Sequence, residues 1–94
     1  MDAIAGGMIS KTTAIEDVRL GLNALHDKGM AHCDVVVDNV FVVDRVAILH
    51  DLEYLTRLTS AAPQTSRWDV LQHGTLTAGE LDGLLFSQFM LTMQ

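Results

Sequence analysis

The chain predicts a small α+β fold, and three observations carry that expectation. Ile15, Val18, Leu22 and Leu25 recur at the spacing of one helix face. Val40-Phe41-Val42-Val43 and Val46-Ala47-Ile48-Leu49 are short apolar runs split by Asp44-Arg45, which is the pattern of a buried hairpin. Leu81, Leu84, Leu85, Phe86, Phe89, Met90, Leu91 and Met93 then crowd a final helical stretch. Ninety-four residues make one domain at most. A chain of that size buries only roughly two-thirds of its unfolded surface. Yet 49% of the residues are apolar and the mean hydropathy is +0.26. The surplus implies an apolar face meant for a second lobe, another subunit or the rest of a longer protein.

Taken in order, residues 1–12 read as a loose lead-in containing Gly6-Gly7. Gly7-Met8-Ile9-Ser10-Lys11-Thr12 lacks the glycine before lysine and the preceding strand that a phosphate-binding loop requires. Thr13-x-x-Glu16 reads as a capping box opening the first helix, which Lys28 and Gly29 close. That helix, the loop after it and the hairpin occupy 13–55. Asp-Arg is a poor pair for a tight primed turn, so a hairpin loop a residue or two longer is expected. Residues 56–80 form a polar, extended segment with Thr59, Ser60, Pro63, Gln64, Thr65 and Ser66 clustered and Gly74 further on. Thr77-x-x-Glu80 is a second capping box, ahead of a hydrophobic helix over 81–94. That helix is apolar nearly all round, which calls for burial on every side, yet nothing in this chain is large enough to bury it fully.

Composition excludes several function classes. The net charge is −6, the isoelectric point is near 4.8, and no basic cluster occurs, so nucleic-acid binding is not expected. Cys33 is the single cysteine, which leaves no disulfide framework and no thiolate zinc site. The first residues lack a basic stretch followed by a long apolar run, and no segment reaches the ~18 apolar residues of a membrane helix. An intracellular, reducing location is the expectation.

The residues with chemistry lie at the hairpin's open end. His32-Cys33-Asp34-Val35-Val36-Val37-Asp38-Asn39 leads into the first strand, and Asp51-Leu52-Glu53 follows the second. A two-residue turn at Asp44-Arg45 sets Val43 opposite Val46 and Asn39 opposite His50, with Asp51 one step on. An amide and a carboxylate side by side make two hard oxygen ligands for magnesium, with water and phosphate completing its shell. Asp34, on the loop feeding the hairpin, can face a substrate hydroxyl beside that metal. Phosphoryl transfer needs little more than such positioning and charge stabilisation.

This H-x-D-x-x-x-x-N stretch followed by D resembles the catalytic loop and magnesium-binding triplet of eukaryotic-like protein kinases. From Asp17 to Glu80, about two-thirds of the 94 residues, the chain resembles part of a kinase C-lobe, from the helix before the catalytic loop to the end of the activation segment. Gly74-Thr75 and Ala78-Gly79-Glu80 are similar to a shortened G-T…A-P-E closure of that segment. The resemblance implies ATP- and magnesium-dependent transfer to serine or threonine hydroxyls. It makes Asp34 the catalytic base, Asn39 and Asp51 the metal ligands, His32 the buttress of the loop, and Glu80 a structural glutamate paired with an arginine. The divergent style is similar to kinase-like families of fungi and oomycetes. Asp51-Leu52-Glu53-Tyr54 also resembles the D-x-E-Y stretch of choline kinases and related small-molecule phosphotransferases, which share the loop spacing.

The departures carry consequences of their own. Val36 stands where protein kinases place a phosphate-contacting lysine, Glu53 replaces a hinge glycine, and Cys33 replaces the arginine that docks an activation-loop phosphate. Control by phosphorylation of Thr56, Thr59, Ser60, Thr65 or Ser66 is therefore not expected. The glycine-rich loop, the ATP-contacting lysine and its glutamate partner have no counterpart, so the nucleotide-binding residues are unassigned. These absences also fit a catalytically dead relic that acts as a protein-binding module. His26, His50 and His73 form no ligand pattern, Trp68 reads as a packing anchor and the methionines as core filler. Cys33 has no cationic neighbour to make it a nucleophile.

Overall fold

A computed structural model describes residues 2–3, 9–64 and 76–93. Gly6, Gly7, Thr65, Ser66, Trp68, His73, Gly74 and Thr75 lie outside the described residues, as do the expectations that fell on them. The architecture is α+β. The elements run β1 (Asp2–Ala3), α1 (Lys11–Asp27), β2 (Met30–Ala31), a 3-10 turn (Val37–Asn39), β3 (Val40–Val43), β4 (Val46–Leu49), β5 (Thr56–Arg57) and α2 (Ala78–Met93). Two antiparallel sheets form, one ordered β1-β3-β4 and the other pairing β2 with β5.

The helix α1 starts a turn earlier than the Thr13–Glu16 box predicts. Ser10 is the N-cap: its Oγ accepts the Thr13 N–H at 3.1 Å and its hydroxyl donates to Thr13 Oγ1 at 2.8 Å. Both hydroxyl residues can cap, but starting at Ser10 adds the Ala14 N–H to Ser10 C=O bond, and each further bond propagates a helix already nucleated. Glu16 instead pairs with Arg19 at 2.7 Å on the exposed face. At the other end Lys28 is the C-cap and Gly29 takes φ 77, a left-handed conformation that glycine adopts without strain. The lead-in is correspondingly shorter than 1–12, since residues 11 and 12 are helical and Asp2–Ala3 pairs with β3.

The hairpin turn is tight, not lengthened. Val43 faces Val46, Val42 faces Ala47, Phe41 faces Ile48 and Val40 faces Leu49. Asp44 and Arg45 accept the left-handed conformations of a primed turn, at φ 51 and 64. Four β-branched or aromatic cross-strand pairs outweigh the strain of two poorly suited turn residues.

Ala14, Val18 and Leu22 of α1 bury against Val40, Val42 and Ala47 of the hairpin and against Leu81, Leu85 and Phe89 of α2. Within the described residues α2 is covered on one side only, in keeping with a chain too small to bury an all-round apolar helix. Ala78, Leu81, Asp82, Leu85 and Phe89 form one buried stripe, while Leu84 is 38% and Leu91 71% exposed. The described protein has material to cover one face only. This helix also begins at Ala78 rather than Leu81, where Gly79 lets it lie against Leu58. A Cβ there would sit 2.8 Å from Leu58 Cδ1 and 3.2 Å from its carbonyl oxygen. Between the hairpin and α2, β5 pairs Thr56 with Ala31 and Arg57 with Met30, and Ala61 bridges to Thr77. Among the described residues no helix is long and apolar enough to cross a membrane.

Candidate functional site

The loop from His32 to Asn39 hangs from a single buried carboxylate. Asp82, fully buried on α2, accepts the His32 N–H at its Oδ2 (2.8 Å) and the Cys33 N–H at its Oδ1 (2.7 Å). His26, from the last turn of α1, donates its Nε2–H to the same Oδ2 at 2.8 Å. A carboxylate removed from water is costly unless its lone pairs are occupied, and three donors converge to occupy them. Sequence reasoning missed both residues. The available signal was an acidic residue on the apolar stripe of α2, flanked by Leu81 and Leu85. His26, read as ordinary, completes this clamp.

His32 ties the two halves of the site together. The Asp34 N–H donates to His32 Nδ1 at 3.1 Å, so that nitrogen carries no proton. The proton sits on Nε2, which donates to the His50 C=O at 2.8 Å. One neutral, fully buried imidazole thereby braces the loop against the residue that precedes Asp51.

Asn39 closes the loop. Its N–H donates to the Val36 C=O at 3.0 Å, forming the 3-10 turn. Its Nδ2 donates both to the Asp34 backbone oxygen at 2.9 Å and to Asp34 Oδ2 at 2.8 Å. The His50 N–H donates to the Asn39 C=O at 2.6 Å, so Asn39 and His50 are partners and Asp51 follows, as a two-residue turn requires. Asp34 is buried at 4% exposure, whereas Asp51 is exposed and its Oδ1 accepts the Glu53 N–H at 3.2 Å. Cys33 and Asp51 both hold left-handed backbone conformations, φ 68 and 65, although neither is glycine. Strain of about 1–3 kcal/mol at each is retained only where surrounding bonds over-determine the shape, and such residues cluster at functional sites.

Among the described residues no group of three or more His, Cys, Asp or Glu side chains gathers around a point, so there is no all-protein cage. An amide oxygen from Asn39 and the Asp51 carboxylate suit a hard cation that keeps its waters and takes its remaining ligands from phosphate.

Two further residues behave differently from catalytic groups. Burial first, and then the Asp82 carboxylate, push the Cys33 thiol up to about 11, which removes it as a nucleophile at neutral pH. Glu80 accepts the Thr77 N–H at 2.9 Å while its own N–H donates to Thr77 Oγ1 at 3.2 Å, completing the capping box. The bond from the Thr77 N–H, followed by a bond from the Thr77 side chain, holds the Glu80 carboxyl below the usual range. Among the described residues its carboxylate forms no ion pair with an arginine. Comparison with known proteins finds no family model, no curated protein and no solved structure that matches this chain.

Proposed function

We propose that this chain carries the catalytic-loop core of a protein kinase-like phosphotransferase that moves a phosphoryl group from ATP to serine or threonine hydroxyls with magnesium. The observation that supports this reading most is the Asp34–Asn39 pair braced at the hairpin end beside Asp51. Asp34 takes the hydroxyl proton of the acceptor, and Asn39 fixes its carboxylate by holding Oδ2 and the adjacent carbonyl together. Asn39 Oδ1 and Asp51 are the groups that would hold the cation. Magnesium, when bound, would neutralise charge on the phosphate oxygens. His32 and Asp82 keep the loop from relaxing when charge accumulates there. The nucleotide-phosphate contacts are assigned to a complementing lobe outside this chain.

Calorimetric titration with magnesium and a non-hydrolysable ATP analogue tests this reading. Asp51 is exposed but held at φ 65 with its Oδ1 on the Glu53 N–H, so circular dichroism and urea unfolding of Asp51→Ala accompany the titration to establish that the variant is folded. Loss of the magnesium-dependent heat in that variant supports the assignment; unchanged affinity sinks it. A second reading, a non-catalytic kinase-like module that binds a protein, is favoured by the exposed Leu84 and Leu91 on α2. No magnesium-dependent heat from either protein would leave that reading in its place.

A further inference from the structure

The outer edge of β4 is uncovered by any described strand. The sheet order β1-β3-β4 ends there. The His50 N–H bonds to Asn39, so residues 46, 48 and 50 turn their backbone groups toward β3, and Ala47 and Leu49 turn theirs outward. The Ala47 N–H is met by Asp17 Oδ2 at 3.0 Å, which confirms that direction. Val46–Leu49 itself holds no charge, no proline and no bulge, but Asp17 of α1 takes up the outward Ala47 N–H, which leaves the Ala47 carbonyl and the Leu49 backbone groups for a partner. Between the edge and α1 lies an open hollow of about 320 Å³, lined by Asp17, Gly21, Leu25, Val46, Ile48 and Leu52 among others. Val46, Ile48 and Leu52 are each more than 40% exposed. A Cβ at Gly21 would meet nothing within 4 Å, so the absent side chain keeps the hollow open.

We propose that this edge and hollow form a docking site for an extended, apolar peptide segment flanked by basic residues, supplied by a partner protein. The segment adds a strand beside β4, bonding to the outward groups of Leu49 and to the Ala47 carbonyl. Alternate side chains then settle over Gly21 and Leu25. Charge selects this occupant over a second copy of the chain. Among the described residues Asp17 is the one charged side chain lining the hollow, and at the hairpin ends exposed Asp44, Asp51 and Glu53 outnumber the single exposed cation, Arg45. The whole chain carries −6. Two copies joined edge to edge would bring like charges together, whereas a basic segment meets the opposite sign.

The test uses the full chain and a synthetic peptide of alternating valine and threonine with lysines at both ends, matched by a control with glutamates there. Titration followed by backbone amide spectra and hydrogen exchange reads the site directly. Expected are a slowing of Leu49 N–H exchange by about ten-fold or more, weakening of binding by salt, and affinity for the glutamate peptide lower by about ten-fold or more. A Cβ at position 21 meets nothing within 4 Å, so Gly21→Leu sends its side chain into the hollow and removes a helix-interior glycine; its fold is checked by circular dichroism, and affinity for the lysine peptide should drop about ten-fold. An unchanged Leu49 amide, full binding by Gly21→Leu, or a dimer in sedimentation that Gly21→Leu splits would each overturn the proposal.

Discussion

Asp82→Ala removes the one acceptor group shared by the His32 and Cys33 backbone N–H groups, both of which belong to fully buried residues. Each buried donor left unmet costs about 1–3 kcal/mol. The shortened side chain leaves a void as well, so a loss of about 3–5 kcal/mol is expected, a large share of the 5–15 kcal/mol that holds a typical domain together. With a slope of about 2 kcal/mol per molar urea, the unfolding midpoint falls by about 2 M. Asp82→Asn keeps the shape but offers one oxygen where two are used, and its amide N–H₂ opposes the remaining donor; about half the loss is expected. His26→Gln is the control. The His26 side chain is 30% exposed, so its loss should cost about 1 kcal/mol or less. Urea unfolding followed by circular dichroism supplies the energies, and native-state hydrogen exchange supplies the location. The His32 and Cys33 amides should exchange in the slowest class in the wild type, and at least one should quicken in Asp82→Asn. A cost below about 1 kcal/mol for Asp82→Ala, or fast exchange at both amides in the wild type, would refute the clamp.

Two other outcomes follow from the same geometry. The Cys33 thiol titrates at about 11 in the folded protein against 9.0 when unperturbed, so its contribution is complete below pH 9 and is lost as pH rises through 11. About 2 kcal/mol of stability should disappear across that window and be missing from the pH profile of Cys33→Ala; identical alkaline slopes would contradict it. At the hairpin turn, Arg45→Gly relieves a left-handed residue at φ 64 and should raise the urea midpoint by an amount worth about 1 kcal/mol, without changing the slope. A lowered midpoint would mean that the turn is not the tight primed one.

Much of the framework was legible in the chain because it is written locally. The 3.6-residue recurrence from Ile15 to Leu25 and the paired runs around Asp44-Arg45 need only nearest neighbours to be interpreted, and they placed Asn39 opposite His50 correctly. The Thr13 capping box set the helix start one turn late, since Ser10 carries the same hydroxyl and only the added turn favours it. β2 and β5 are two residues each, too short for any periodicity. Apolar content showed that α2 needs more cover than this chain holds, but residue type does not say which face the chain covers and which it leaves exposed. The role of Asp82 was hidden for a related reason. Its three partners are 56, 50 and 49 residues away in the chain, and proximity at that range is set by tertiary packing alone.

That separation bears on the order in which the molecule assembles. The segment from His32 to Asn39 has little periodic order of its own, and two of its amide groups find their acceptor only when a helix made some fifty residues later docks. Closing so long a connection costs entropy that local turns do not incur, so the hairpin and the first helix can be in place while the loop between them is still without a shape. The residues with chemistry therefore become a site in the last stage of folding. Anything that loosens the final helix should disorder them before it melts the framework on which they sit.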